Sequence, residues 1–437
     1  MRVLFVTYPA KAHAYPQVPL AWALRAAGHE VCVISQPDVV DDITGSGLTA
    51  VPIGEMLNLE ERIQEEERAK ERDRESGAGF ALEPGEEPDP ELLMRLDELQ
   101  PEKITLDYMQ GMFTVMASLA FDSVTEEHAL DELVAFMRGW GPDLVIWDPL
   151  VFAGGVAAQA CGAAHARMLY GLDLVGWMRG QYLAAVADRP ALLRDDPMAE
   201  WLDGVAGRYG GEFSEDLVMG QWTIDPMPGS LRLPVNHHYV PVRYVPYNGP
   251  AAMPEWLREP PKRPRVCLTL GLSFREVMGG DKVSIGELLG AAADLDVEVV
   301  ATLDAEQLAT AGRVPDNVRA VDFVPLNELL PTCSAIVHQG GFGSTLTALA
   351  HGVPQVIIPA DLWDTEARAQ LMHRSGAALH LPRTAEISAA GLRDLLVRVL
   401  EERSFQESAA RLRTEALGTL GPADLVPVLE RLTAISR

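Results

Sequence analysis

Two polar residues that follow two different apolar runs are the first in this sequence able to do chemistry. His13 comes shortly after Val3-Leu-Phe-Val-Thr7, and Asp148 directly follows Asp143-Leu-Val-Ile-Trp147. An imidazole can take a proton from a hydroxyl, and a carboxylate on its other nitrogen would fix the tautomer and stabilise the imidazolium formed. The pair would then be a base acting on an alcohol. Each residue also has a plainer reading, His13 as a structural loop residue and Asp148-Pro149 as a turn starter.

A second constellation is His338-Gln-Gly-Gly-Phe-Gly-Ser344, which follows a short apolar run and leads into a helical pattern with Leu346, Ala348 and Leu349. It suits a diphosphate. Gly340, Gly341 and Gly343 let backbone approach phosphate, Ser344 can cap the helix and donate its hydroxyl, and the helix dipole favours negative charge. His338 would add a donor. Ser273, just past Leu270-Gly271, could bind the diphosphate from the opposite side or simply end a strand. Asp361, Trp363, Asp364 and Thr365 follow another apolar run, where a carboxylate could accept bonds from sugar hydroxyls. This D-x-x-D could also suggest a metal, but no further ligand at suitable spacing completes a site, so none is expected.

These residues matter only if one architecture brings them together. In open parallel sheets, ligands bind beyond the carboxyl ends of the strands, which is where each candidate falls. Strands are expected at Val3–Thr7, Val31–Ser35 and Asp143–Trp147, with a helix bearing Leu20, Ala23, Leu24 and Ala27 and ended by Gly28, and a helical run from Ala153. Strand–helix alternation resumes at Arg265–Leu270, Val297–Thr302, Val318–Phe323, Ala335–Val337 and Gln355–Pro359. Between them, residues 226–264 are rich in proline, as an interdomain crossing would be. The expectation is an α/β chain with units at 1–225 and 265–437.

Composition narrows the partners. The 437 residues can fill two cores. With 36 basic and 63 acidic side chains the net charge is −27, which disfavours nucleic acid and anionic membranes but still admits a small anion at a helix start. The four cysteines are scattered without a C-x-x-C pair and read as reduced, in a cytoplasmic protein. No signal-peptide pattern and no run long enough to span a bilayer is present. The acid-rich stretch 60–75 reads as a solvated helix or an excursion that orders on docking. The loop after the first strand lacks G-x-G-x-x-G, and no P-loop occurs, so hydride transfer and P-loop chemistry lose ground. Met109–Met116 and Leu169–Tyr182 are apolar and aromatic enough for an acceptor pocket, or for ordinary core.

At this point the chain resembles the family 1 glycosyltransferases, across essentially its whole length. The segments that carry the resemblance are Phe323-Val-Pro-Leu, His338-Gln-Gly-Gly-Phe-Gly-Ser, Gly352-Val-Pro-Gln and Trp363-Asp-Thr. Within the family it looks most like bacterial antibiotic-pathway enzymes that move TDP-linked deoxysugars to macrolide or aromatic polyketide aglycones. Pro19-Leu-Ala-Trp-Ala-Leu-Arg, Pro142-Asp-Leu-Val-Ile-Trp-Asp-Pro149, Gly220-Gln-Trp-Thr-Ile-Asp-Pro226 and Arg265-Val-Cys-Leu-Thr-Leu-Gly271 point there.

The resemblance implies the GT-B fold, two facing Rossmann-like domains with the active site in the cleft between them. It implies acceptor binding and the base in residues 1–225, donor binding in 265–437, and a last helix that packs back on the first domain. It puts the catalytic His on His13 and its orienting acid on Asp148, the diphosphate on His338, Gly340, Gly341, Gly343 and Ser344 with Ser273 opposite, and the base on Phe323 and Val324. Asp364 and Thr365 stand where relatives carry Asp-Gln to read sugar hydroxyls; loss of the Gln amide suits a deoxygenated or amino-deoxygenated sugar. Gln339 replaces a second His. The implied co-substrate is a TDP-sugar, with neither cofactor nor metal. A haem-free relative of cytochromes P-450 is the implied activator, and self-association into a homo-oligomer is allowed. Outside sugar transfer, the alternatives are a nucleotide-sugar epimerase of this fold and a catalytically idle scaffold.

Overall fold

The computed structural model describes residues 1–58, 96–100, 102–121, 124, 126–270, 284–360, 363–382 and 388–436. The stretch 60–75, Ser273 and Asp361 lie outside them. Seven strands form the first sheet: β1 (Arg2–Val6), β2 (Glu30–Ser35), β3 (Ala50–Pro52), β4 (Leu144–Trp147), β5 (Ala164–Met168), β6 (Trp222–Asp225) and β7 (Tyr239–Pro241). They lie in the order β3-β2-β1-β4-β5-β6-β7, all parallel. Such a sheet must be covered on both faces, which is why Leu144-Val-Ile-Trp147 is buried without alternation. The covering helices include α1 (Lys11–Ala26), α2 (Leu106–Val115), α3 (Glu127–Trp140), α4 (Ala153–Cys161) and α5 (Leu174–Ala187).

The second sheet is also wholly parallel, with β8 (Arg265–Thr269), β9 (Glu298–Thr302), β10 (Val318–Val321), β11 (Ala335–His338), β12 (Gln355–Ile357) and β13 (Ala378–His380) in the order β10-β9-β8-β11-β12-β13. Its helices include α6 (Ile285–Ala292), α7 (Phe342–His351), α8 (Thr365–Arg374), α9 (Ala389–Glu401) and α10 (Arg403–Leu417). Two units of parallel sheet therefore follow one another along the chain.

Several elements differ from the sequence expectation. Strand β7 lies inside the proline-rich stretch 226–264; its Pro241 is tolerated because β7 is an edge strand, where a missing N–H leaves no ladder bond unmade. Strand β5 was hidden because Ala-His-Ala-Arg-Met is not apolar, yet all five residues are buried. Its polar side chains are satisfied internally: Trp147 Nε1 donates to His165 Nδ1 at 3.2 Å, and Arg167 pairs with Asp173 at 2.6 Å. Helix α1 begins at Lys11, earlier than its apolar stripe suggested, and ends as expected near Gly28, whose φ of +91° suits glycine.

The last helix, α11 (Pro422–Ser436), crosses back to the first unit. Its Leu425, Val426 and Leu429 share an apolar cluster with Val3, Phe5, Leu20 and Leu24. Another cluster joins the units directly, running from Met112 and Trp147 to Phe342, Leu346 and Ile357. Met109, Met112, Phe113 and Tyr182 belong to it, so those candidate acceptor-pocket residues are core.

Two stability predictions follow from this packing. Leu429→Ala removes a fully buried side chain and should destabilise the first unit by about 2–5 kcal/mol, read as a lower denaturant midpoint; an unchanged midpoint would contradict the crossing. Burial pushes the His165 imidazole down to about 4. The unfolded chain takes up that proton near the ordinary histidine value of about 6.5, so the His165 contribution to stability should fall as pH drops from there toward 4. Midpoints at successive pH values for the protein and a His165→Gln variant test this through their difference.

Candidate active site

Each sheet reverses its strand order beside its first strand, between β1 and β4 and between β8 and β11. Crevices at such reversals are where α/β sheets bind ligands. In the first, Val6 pairs with Trp147, so the chain leaves β1 and β4 at the same edge. Asp148 N–H donates to Val6 O at 2.9 Å, which seats the carboxylate beside the start of α1. His13 was expected in the loop but lies in the first turn of α1, because the helix starts without any capping side chain: Ala10 is the N-cap, and its carbonyl accepts from His13 and Ala14 N–H at 3.0 and 3.1 Å.

His13 Nδ1 lies 2.8 Å from Asp148 Oδ2. A carboxylate only accepts, so the proton sits on Nδ1 and the Nε2 lone pair is left to receive another. Asp148 is fully buried, and its Oδ1 accepts from Leu150 N–H at 3.0 Å. The imidazole is packed between Tyr170, with ring centroids 3.8 Å apart, and Tyr8 at 4.7 Å. This arrangement holds one tautomer in one orientation.

The second crevice lies between β8 and the turn that joins β11 to α7. Gly341, Gly343 and Ser344 line an open cleft whose empty space, solvent mouth included, is about 990 Å³, together with Phe323 and Val324 after β10, Thr269 at the end of β8 and Leu270 after it. Gly341 is the N-cap of α7, without a side-chain hydrogen bond, so Ser344 is a residue of the first turn and not the cap. Phe323 is 43% exposed, beyond the end of the strand expected to contain it. Val324 is buried beneath it.

His338 and Gly340 do not line this cleft. Both ring nitrogens of His338 are engaged inside the protein: Nε2 faces Gln355 Oε1 at 2.8 Å, and Gly340 N–H donates to Nδ1 at 3.0 Å. Burial pushes its pKa down to about 4, so it is a neutral strut holding the glycine turn. The expectation that it donates to a ligand differs from this geometry for that reason. Gly340 has a φ of +82°, which calls for glycine, and a Cβ there would come within 3.3 Å of Ile357, which would have to shift slightly to admit it.

Asp364 and Thr365 likewise stand apart from the cleft lining. Asp364 Oδ2 accepts from Leu172 N–H of the first unit at 2.7 Å and pairs with Arg368, which also donates to Gly340 O. Burial raises its carboxyl pKa while Arg368 opposes that rise. Thr365 Oγ1 donates to Ala360 O. Among the described residues, no group of three or more His, Cys, Asp or Glu could hold a metal.

Sequence reasoning assigned no role to seven further residues, although it named Trp363 and Gln339. Tyr170 and Trp363, from different units, stack with centroids 6.0 Å apart, Trp363 adopting an uncommon φ of +45°. Gln339 lines the cleft with an Oε1 that finds no partner among the described residues. Tyr244, Tyr247 and Asn248 bring the crossing segment into its wall. Arg368 braces the glycine turn from α8. The positive φ of Trp363 and the partners of Arg368 have no sequence signal; only the His338-Gln339 pair itself marked Gln339 as unusual.

Known proteins give this geometry a family. Residues 22–79 and 90–271 match the N-terminal domain, and residues 286–432 the C-terminal domain, of the family described as erythromycin biosynthesis protein CIII-like. The chain is 54% identical over 437 residues to the aclacinomycin-T 2-deoxy-L-fucose transferase of Streptomyces galilaeus, covering 100% of this chain and 97% of that protein. It is 47% identical to the 10-deoxymethynolide desosaminyltransferase of Streptomyces venezuelae, covering 100% and 98%. Its fold superposes on the crystal structure of the glycosyltransferase VinC in complex with dTDP with a TM-score of 0.87, at 41% identity and full coverage of both chains. With two parallel sheets meeting at a shared cleft and relatives of this similarity along its whole length, the chain belongs to the erythromycin biosynthesis protein CIII-like family of GT-B glycosyltransferases.

Proposed function

We propose that this glycosyltransferase moves a deoxysugar or amino-deoxysugar from a TDP-sugar to a hydroxyl of a polyketide aglycone, macrolide or aromatic, with inversion at the anomeric carbon. The observation that carries the reading is the buried His13–Asp148 pair, whose His13 shares a helical turn with two residues, Lys11 and Ala12, that line the cleft of Gly341–Ser344. The acceptor O–H gives its proton to His13 Nε2 as its oxygen bonds to the anomeric carbon. The bond from that carbon to the β-phosphate oxygen breaks, and its electron pair leaves on TDP. Asp148 holds the imidazole and stabilises the imidazolium.

On the donor side, the Gly341 and Gly343 backbone, the Ser344 hydroxyl and the start of α7 would receive the diphosphate, with Phe323 and Val324 against the base and Ser273 as a further donor. His338 and Gly340 act one step back, by shaping that turn. Asp364 and Thr365 would face the sugar after Asp364 exchanges its Leu172 partner for a sugar hydroxyl. The chemistry needs no metal step, and the free cysteines suit a cytoplasmic enzyme. The activities of the relatives, a 2-deoxy-L-fucose transferase and a desosaminyltransferase, support a deoxygenated cargo and a polyketide acceptor. A base, its acid and an anion turn kept together speak against an idle scaffold.

Incubation with TDP-deoxysugars and a panel of macrolide and anthracycline aglycones, with and without a haem-free P-450-like auxiliary protein, tests the reading by product mass. A mass gain of one deoxysugar on an aglycone is expected; donor isomerised without acceptor would mean an epimerase instead. His13→Ala should cut turnover about 10²–10⁴-fold while calorimetry finds TDP affinity unchanged, and retained turnover would sink the base assignment. Gln355→Leu strips His338 Nε2–H of its acceptor, leaving a buried donor worth about 1–3 kcal/mol unsatisfied. It should weaken TDP binding by loosening the glycine turn, with a titration curve equal to that of the parent protein as the contrary result.

A further inference from the structure

A diphosphate that leaves carries at least two negative charges, and the glycine turn meets it with dipoles alone. Its backbone N–H groups and the Ser344 hydroxyl have no formal charge, and His338 is neutral and turned inward. In a chain of net charge −27, no general positive field supplies the deficit. The described side chains lining the cleft include two charged ones, Asp322 and Lys11. Lys11 is thus the cation among them.

Lys11 reaches the cleft from the first unit, as the first residue of α1. That helix of 16 residues has Ala10 as N-cap, no side-chain cap and no acid in its first turn. Helix α7, on the other wall, also has an N-cap without a side-chain bond and no acid in its first turn. First-turn residues of both helices line the same cleft: Lys11 and Ala12 of α1, and Phe342, Gly343 and Ser344 of α7. The first turns of two helices, neither carrying an acid of its own, therefore meet one space, with Asp148 engaged by His13 on the α1 side. An independent sign that a ligand completes this space is Gln339: it is 4% exposed, lines the cleft, and among the described residues its Oε1, an acceptor, has no partner, so it calls for a ligand hydroxyl or N–H beside the diphosphate. Lys11 Nζ lies 3.9 Å from Asp42 Oδ1, an oxygen that already accepts from Tyr15 Oη at 2.9 Å.

We propose that Lys11 and the open first turn of α1 bind the donor diphosphate from the N-terminal domain, opposite the glycine turn. The leaving group is then clamped between two helix starts and one ammonium, and the turn that holds the base two residues later also holds the charge that the base helps to release. The inference rests on the TDP-sugar reading above.

Calorimetric titration of the parent protein, Lys11→Met and Lys11→Arg with TDP and, separately, with thymidine tests it. Lys11→Met should weaken TDP binding about 10- to 100-fold and leave thymidine binding unchanged, whereas Lys11→Arg should keep most of the TDP affinity. Raising salt should weaken TDP binding more in the parent protein than in Lys11→Met. Equal TDP affinity in Lys11→Met and the parent overturns the proposal, as does a proportionate loss of TDP and thymidine, which would make Lys11 a structural residue. A parent protein that binds neither ligand would instead remove the donor reading, and this inference with it.

Discussion

The rest of this structure depends on the reversal of strand order beside the first strand of each sheet. Parallel strands covered on both faces leave their side chains nowhere polar to go except past the carboxyl ends. At the reversal the connections diverge to opposite faces, and a crevice opens between them. His13 and Asp148 meet in one such crevice, and the turn from His338 to Ser344 borders the other. The two crevices face one another across the cleft that Lys11 and Ser344 both line.

That facing arrangement is held by contacts of different kinds. The apolar cluster from Trp147 to Phe342 and Leu346 supplies non-directional burial. Direction comes from Leu172 N–H on Asp364 and from the ring of Trp363 on Tyr170. Since Tyr170 also packs on His13, the second unit touches His13 through a single intervening ring. The loop bearing Tyr170 and Leu172 is anchored just beyond, where Asp173 caps α5 and accepts from Arg167 and Tyr239. Buried ion pairs of this sort contribute little net stability, but removing one partner strands the other charge, so they hold a loop in one place.

Much of this was legible from residue order. Apolar runs such as Val3-Leu-Phe-Val and Leu144-Val-Ile-Trp147 announce buried parallel strands; Asp148 and the glycine turn follow such runs directly, and His13 follows its own a few residues on. Hydropathy failed at β5, where His165 and Arg167 are buried only because Trp147 and Asp173 satisfy them from elsewhere in the chain. It failed again at β7, where an edge position excuses a proline that otherwise argues against a strand. Helix α1 was started too late because its first turn has no capping residue to mark it.

By itself, the sequence determined the residue types at the strand ends, the two-unit α/β order and the resemblance that names the chemistry, because these depend on local periodicity and on motifs close in the chain. Only the tertiary structure decided that His338 points inward to Gln355, that Asp364 is held by Leu172 and Arg368, and that Lys11 shares a cleft with Ser344. The physical reason is that a buried polar atom takes whichever partner the packing brings within hydrogen-bond reach. Sequence spacing does not encode that partner when it arrives from another strand or another domain.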